Sequence, residues 1–126
     1  MSINYRYESP KILLDFLAYH ETIKAHSAKT VDEYFLDLRN FFRYLKQMRD
    51  PALSGKALDE IDIMDVDLAF VGSVTLTDIY GYMTYLSRDR VQNQNSRNPE
   101  DGLNAASRAR KIATIRSFYN YLTNKM

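Results

Sequence analysis

The amino-acid sequence predicts an all-α protein, a compact bundle of four helices, and three observations support this. Four segments repeat apolar residues at three- and four-residue spacing, which is the period of a helix with one buried face. No segment alternates apolar and polar residues as a half-buried strand does. The 126 residues include no cysteine, and a chain of this length buries a core without disulfides or metals. We therefore expect one domain spanning residues 1–126.

The first predicted helix begins at Ser9-Pro10, with Ser9 as the N-cap and Pro10 at the first helical position. It should end between Lys24 and His26. Its apolar face consists of Ile12, Leu13, Phe16, Leu17, His20 and Ile23.

The second helix has the strongest amphipathic pattern and runs from the N-cap Ser27 to about Met48. Asp50-Pro51 ends it, because the residue before a proline is pushed out of helical geometry. Its apolar face consists of Val31, Tyr34, Phe35, Leu38, Phe41, Phe42 and Leu45.

Residues 51–74 form a loose, acidic connection in which 65–72 could make a short helical turn. That turn would bury Leu68, Phe70 and Val71. The third helix begins at Thr75, which forms a capping box with Asp78, and Arg88 and Arg90 lie near its end. Its apolar stripe is predicted to be Leu76, Ile79, Tyr80, Met83 and Leu86.

The polar residues 92–104 are predicted to be a mobile loop, and the fourth helix follows from about Ala105 to Asn124. The residues predicted to face inward on it are Ala109, Ile112, Ile115, Tyr119 and Leu122.

Charge is unevenly distributed although the net charge is only +1. Residues 51–85 carry 1 basic and 6 acidic residues, whereas residues 86–126 carry 8 basic and 3 acidic residues. A nearly neutral protein can still present a basic face when its cations lie on one side.

A helical wheel of the fourth helix, centred on Ile112 as buried, gathers basic and hydroxyl side chains on the opposite side. That set consists of Ser107, Arg110, Lys111, Thr114, Ser117 and Tyr121, with Arg108 and Arg116 at its borders. Such side chains suit phosphate oxygens and base edges. An ordinary solvated face explains this feature at least as well, although no acid lies between Gly102 and Met126.

The second helix carries a further basic edge of Arg39, Arg43 and Lys46, with Lys29 a little further round. Three acids, Asp32, Glu33 and Asp37, are predicted to share its solvent side. From the residues alone, a mixed, salt-bridged surface is the better interpretation of this edge.

The sequence offers no catalytic motif, no cofactor motif and no metal site. Its two histidines, His20 and His26, are too few for metal binding, and His20 is expected to be packed and hydrogen-bonded. No apolar run approaches the roughly 20 residues of a membrane span, and no signal peptide is evident, so we expect a cytoplasmic protein without membrane partners.

Two of the predicted helices resemble those of the tyrosine recombinase (phage-integrase) family, Xer-type. In the second helix the matching residues are Ser27, Thr30, Val31, Tyr34, Asp37, Leu38, Arg39, Phe41, Phe42, Tyr44 and Leu45. In the last helix they are Ser107, Arg110, Ile112, Ile115, Arg116, Phe118, Tyr119, Tyr121 and Leu122. The first and third helices are compatible with the family, so the resemblance covers nearly the whole chain.

The resemblance implies the family's N-terminal core-binding domain, a SAM-like orthogonal bundle that grips one side of a DNA duplex. The implied partners are double-stranded DNA, the C-terminal catalytic domain of the same protein and other recombinase protomers. Family and helix wheel together give the expected DNA contacts: Lys29, Thr30, Arg39, Arg43, Ser107, Arg108, Arg110, Lys111, Thr114 and Arg116.

The family's catalytic set, which includes a His-x-x-Arg box, belongs to the other domain and is absent from this sequence. We therefore expect a non-enzymatic fragment of a longer recombinase, whose acidic connection faces away from DNA or towards a neighbouring protomer. The alternative is a helical protein–protein interaction domain that does not bind DNA. An exposed apolar patch would favour that alternative, and a continuous basic surface would favour DNA binding.

Overall fold

The computed structural model describes residues 7–92 and 105–125, and helices dominate both parts. The helices are α1 (Lys11–Ala18), α2 (Ala28–Arg49), α3 (Leu68–Gly72), α4 (Leu76–Gln92) and α5 (Ala105–Lys125). A π-helical turn, Tyr19–Ile23, continues α1, and two 3-10 turns, Pro51–Leu53 and Leu58–Glu60, follow α2. These residues contain no strand, so the predicted all-α class is confirmed, together with the short extra helix near 65–72. The predicted mobile loop falls almost entirely outside the described residues.

Helix α2 is the centre of the fold and packs against α1, α4 and α5. Its predicted apolar stripe is confirmed, because every member is buried except the half-buried Tyr34. Aromatic rings join the helices, with centroid distances of 5.2 Å for Phe16–Phe118 and 5.1 Å for Phe41–Tyr82. Such edge-to-face and tilted ring pairs contribute to packing beyond the area that they bury.

The ends of α2 match their sequence signals. The Ser27 hydroxyl accepts a hydrogen bond from the Thr30 N–H at 3.2 Å, which satisfies one of the unpaired donors of the first turn. At the other end Asp50 is extended, with φ −118° and ψ 108°, and the helix stops before Pro51.

The predicted start of α1 is wrong by one residue. Pro10, not Ser9, is the N-cap, and its carbonyl accepts hydrogen bonds from the N–H groups of Leu13 and Leu14. The ring of Pro10 fixes φ at −65° while ψ is 162°, an extended conformation that lets the chain enter the helix only at Lys11. Ile23, which was expected to be inward, is exposed at the end of the π-helical turn.

The connection between α2 and α4 follows its predicted signals with one exception. Asp67 caps α3 by accepting a hydrogen bond from the Phe70 N–H at 2.9 Å, and Val71 is buried. Leu68, the first residue of α3, was predicted to point inward but is exposed.

Helix α4 begins with the predicted capping box. The Thr75 N–H donates to Asp78 Oδ2 at 2.9 Å, and the Asp78 N–H donates to Thr75 Oγ1 at 3.1 Å. The predicted stripe is only partly correct, since Leu76 and Tyr80 are each 62% exposed. The packing of Tyr82 against the rings of α2 sets the rotation of α4 and turns those two side chains outward.

No helix in the described part of the chain is long and apolar enough to cross a membrane.

Candidate nucleic-acid interface

Helix α5 presents to the core a face that is only partly the predicted one, since Ile115 and Leu122 are buried as predicted but Ala109 is exposed. Thr114, Ile115, Phe118 and Leu122 are buried, whereas Ile112 is half-buried and Ala109 is exposed. With 3.6 residues per turn, this rotates the buried face by about 100° from a wheel centred on Ile112. One physical reason is the Phe118 ring, which lies 5.7 Å from Phe42 and 5.2 Å from Phe16 in the middle of the core.

The rotation brings three polar side chains of α5 onto a single carboxylate of α2. Asp37 accepts hydrogen bonds from Arg110 Nη1, Lys111 Nζ and Thr114 Oγ1, each at 2.8 Å. Its side chain is only 1% exposed. A buried carboxylate is tolerated when cations and donors saturate its oxygens, and this group of four residues, the Asp37 cluster, meets that condition.

The Asp37 cluster corrects two predictions. Asp37 does not share the solvent side of α2, and Thr114 does not lie on an outer face of α5, because each is only 2% exposed. The sequence does hold a signal for this position. Asp37 lies three residues after Tyr34 and four before Phe41, so it falls on the apolar stripe of α2 rather than opposite it.

The two cations of the cluster differ in what they leave to solvent. The Lys111 side chain is 13% exposed, and its ammonium group forms an ion pair with Asp37. The Arg110 side chain is 44% exposed, so its guanidinium reaches the surface. Since arginine has five N–H donors, a hydrogen bond to Asp37 leaves others able to bind a ligand.

Near the start of α2 lie two further predicted contact residues. Lys29 is exposed and forms no hydrogen bond or ion pair with the residues that the structure describes. Thr30 is half-buried, and its Oγ1 accepts a hydrogen bond from the Ser27 hydroxyl at 3.1 Å. A cation and hydroxyl groups therefore surround this helix start, where the unpaired N–H groups favour anions.

The basic edge of α2 is engaged within the protein. Arg39 pairs with Glu8, Arg43 Nε donates to the Ile61 carbonyl at 3.0 Å, and Lys46 donates to Asp65 at 2.6 Å. The mixed, salt-bridged interpretation is therefore confirmed for this edge, and part of the acidic connection covers it.

Two pKa shifts accompany this contact between α2 and the connection. Burial lowers the pKa of Arg43, and the neighbouring Arg39 charge lowers it further. The hydrogen bond from Lys46 lowers the pKa of Asp65. Arg43 and Lys46 are both held by groups of the connection, so they are less available to a ligand than Lys29 is.

The remaining predicted residues lie elsewhere on α5. Ser107 and Arg108 are half-buried near its start, and Arg116 is exposed. Arg108 and Arg116 line a groove between α4 and α5, and Arg116 lies about 120° around the helix from Arg110. The predicted contacts thus form no single patch, and contact of any of them with DNA stays a prediction.

Arg49 makes a set of structural contacts that the sequence did not predict. Arg49 at the end of α2 donates to Ser73 Oγ at 2.7 Å and to Asp78 Oδ2 at 3.1 Å, and its guanidinium lies 5.0 Å from the Phe70 ring. It therefore links α2 to the start of α4. The described residues contain no group of three or more side chains suited to holding a metal ion.

Curated proteins similar to this chain are all recombinases by name. The chain is 44% identical over 116 residues to a protein named Tyrosine recombinase XerC from Caldanaerobacter subterraneus subsp. tengcongensis, covering 92% of this chain and 30% of that protein. It is 33% identical over 115 residues to a protein of the same name from Myxococcus xanthus, covering 90% of this chain and 28% of that protein. No family model and no solved structure matches the chain. The chain thus spans about three-tenths of the length of these relatives.

Proposed function

From the homology of this chain to tyrosine recombinases, which its helix patterns predicted, we propose that it is a DNA-binding domain that grips double-stranded DNA for site-specific recombination. The observation that carries the proposal is the Asp37 cluster. It holds the guanidinium of Arg110 half-exposed at the junction of α2 and α5.

The cluster explains how Arg110 would act on DNA. A long side chain normally loses conformational entropy when it binds, and this loss weakens the contact. The 2.8 Å hydrogen bond to Asp37 has already ordered Arg110 before DNA arrives. Its outward N–H groups are then free to bind phosphate oxygens with charge-assisted hydrogen bonds.

We propose that Lys29, Thr30 and Ser107 complete the contact surface, because each lies near the start of its helix. Helix starts offer unpaired N–H groups and a positive dipole end to phosphates. Lys111 and Thr114 act in this proposal by holding Asp37. DNA contacts of Arg39, Arg43, Arg108 and Arg116 stay predictions, and for the first two DNA must displace Glu8 and the Ile61 carbonyl.

Strand exchange itself is assigned to parts of a recombinase beyond the homologous segment. This chain lacks a His-x-x-Arg box, and we assign none of its tyrosines as a nucleophile. Residues 1–126 would then be a core-binding domain that cooperates with a catalytic domain and with other protomers on DNA. Binding by the segment alone is expected to be weak, because a second, linked domain normally supplies effective concentration.

The test is fluorescence-anisotropy binding of the 126-residue chain to a mixed-sequence duplex across a salt series. Each phosphate contact contributes about 0.9 to the slope of log affinity against log salt. We expect Arg110→Ala to weaken binding and to reduce that slope by about one.

The matched control is Lys56→Ala, which removes an exposed cation of the connection. An Arg110→Ala slope equal to that of the Lys56→Ala control would overturn the assignment of Arg110. Salt-independent binding, or no binding at low salt even with the intact recombinase, would favour the alternative of a protein–protein interaction domain.

A further inference from the structure

A largely apolar groove lies between α4 and α5. Its volume is about 580 Å³. The lining residues are Leu76, Ile79, Tyr80, Met83, Arg108, Ala109, Ile112, Ile115, Arg116 and Tyr119. Pockets of about 300–1,000 Å³ are large enough to bury the anchoring groups of a ligand.

The groove contains three of the apolar side chains whose burial was predicted and did not occur. Leu76 and Tyr80 on α4 are each 62% exposed, and Ala109 on α5 is exposed. Single exposed apolar residues are ordinary, but a contiguous patch that joins two helices is typical of an interaction surface. Two helices side by side, with apolar residues along the seam, form the surface that receives a third amphipathic helix.

The charges of the groove are of one sign. Arg108 and Arg116 are its charged lining residues, and α5 contributes no acid to balance them because it has none. Arg116 is exposed and forms no hydrogen bond or ion pair with any described residue. A partner that fits must therefore combine apolar anchors with flanking carboxylates.

We propose that the α4–α5 groove binds an acidic amphipathic helix of a partner protein. Apolar side chains at i, i+3, i+4 and i+7 of that helix would pack on Leu76, Tyr80 and Ile112. Its Asp or Glu residues would pair with Arg116. Anchors of this kind, packed and shielded from water, carry most of the binding energy in helix-in-groove complexes.

The acids on the described surface of this chain suit the groove less well than such a partner does. Asp65 pairs with Lys46, Asp67 caps α3, and Asp78 is held by Thr75 and Arg49. These carboxylates would have to lose their partners before a second copy could dock. DNA is also a poor occupant, because Leu76 and Ile112 offer its phosphates neither charge nor hydrogen-bond donors.

The test uses two synthetic helical peptides of equal length as probes. Both carry Leu at i, i+3, i+4 and i+7, and they differ in having Glu or Lys on the remaining face. Binding of each labelled peptide to the 126-residue chain is measured by fluorescence anisotropy. We expect the Glu peptide to bind at least tenfold more tightly than the Lys peptide.

Variants then locate the bound peptide. Tyr80→Ser should weaken binding of the Glu peptide at least tenfold. The urea midpoint of this variant should equal that of the wild-type protein, because the Tyr80 side chain is mostly exposed. Arg116→Glu should also weaken it and should shift the preference towards the Lys peptide. Arg88→Glu is the matched control, since Arg88 is exposed on α4 and lies outside the groove lining, and it should change affinity less than twofold.

Three results would overturn the proposal. Equal affinity for the two peptides would show that the groove does not select acidic partners. Binding that survives both Tyr80→Ser and Arg116→Glu would place the peptide elsewhere. Self-association that Tyr80→Ser abolishes, measured by sedimentation velocity, would assign the groove to a second copy. Tyr80→Ser should also leave DNA affinity unchanged, so the outcome is independent of the DNA-binding proposal.

Discussion

Asp37 of α2 and Thr114 of α5 are joined by a 2.8 Å hydrogen bond between two side chains that are both buried. The two residues are 77 positions apart in the sequence, so this bond fixes how α5 rotates on α2. Arg110 and Lys111 bind the same carboxylate, which leaves the Asp37 charge balanced within the cluster. Removing the Asp37 carboxylate is costly, because the Lys111 ammonium group is then left largely buried without its partner.

Asp37→Ala is therefore expected to destabilise the protein strongly. It leaves the Lys111 ammonium and the Thr114 hydroxyl without their shared acceptor, so the free energy of unfolding should fall by about 3 kcal/mol. The measurement is urea denaturation followed by circular dichroism. The control is Asp15→Ala, which removes an exposed i,i+4 pair with Lys11 and should cost less than about 0.5 kcal/mol. Equal losses in the two variants would show that the cluster contributes no more than a surface ion pair.

A second prediction concerns the pH dependence that His20 confers. His20 is buried, its ring stacks on His26 at 5.2 Å, and it meets Phe16 edge-on at 4.5 Å. Burial lowers the pKa of His20 below 6.5, and the nearby His26 and Lys24 charges lower it further. In the unfolded chain the His20 pKa returns to about 6.5.

The sign of the effect follows from proton uptake. Below about pH 6.5 the unfolded chain binds a proton at His20 that the folded protein resists, so the free energy of unfolding falls as pH falls towards the folded-state pKa. We expect the urea midpoint to decrease between pH 7.5 and pH 5.5. His20→Phe should reduce that decrease, while His26→Gln should retain much of it. An unchanged pH dependence in His20→Phe would contradict the assignment.

The capping box of α4 gives a third prediction. Thr75→Ala removes the acceptor of the Asp78 N–H and should cost about 1 kcal/mol of unfolding free energy. Asp78→Ala should cost more, because Asp78 accepts hydrogen bonds from both the Thr75 N–H and Arg49. Thr77→Ala is the control, since it makes the same chemical change at an exposed position two residues later. If Thr75→Ala and Thr77→Ala have the same urea midpoint, the cap contributes nothing measurable.

The sequence specified some parts of this fold and left others open, for physical reasons. The stripe of α2 was predictable because seven of its large apolar residues lie on one side of a 22-residue helix, with Leu36 an exposed exception. In α5, Ile112, Ile115 and Phe118 span about 120° of the circumference, so a rotation centred on Ile112 and one centred on Phe118 look similarly amphipathic. The rotation follows from contacts with other helices, the packing of Phe118 on Phe42 and the hydrogen bond of Thr114 to Asp37. These partners are distant in sequence, so no local pattern reveals the contacts.

The candidate site was predictable in composition but not in arrangement. Lys29 and Arg110 were expected at the surface, and both reach it. The absence of acids in α5 suggested an uncompensated basic face, yet α2 supplies the acid that pairs with Lys111. The exposure of Leu76 and Tyr80 was also not predictable, since an apolar stripe does not reveal whether its partner lies in the same chain.

The fourth prediction rests on Gly81 of α4, which closely approaches Tyr44 of α2. A Cβ atom at position 81 would lie 3.0 Å from the Tyr44 hydroxyl oxygen, so the hydroxyl must shift when alanine is introduced. Alanine is favoured over glycine in a helix interior by about 1 kcal/mol. We expect Gly81→Ala to raise the free energy of unfolding by less than this in the wild-type protein and by close to the full amount in a Tyr44→Phe background.

Gly72→Ala is the control, because the added Cβ meets nothing within 4 Å, and it should have the same effect in both backgrounds. Urea denaturation of the double-mutant cycle measures the difference, and no coupling between positions 81 and 44 would mean that the Tyr44 hydroxyl shifts at negligible cost.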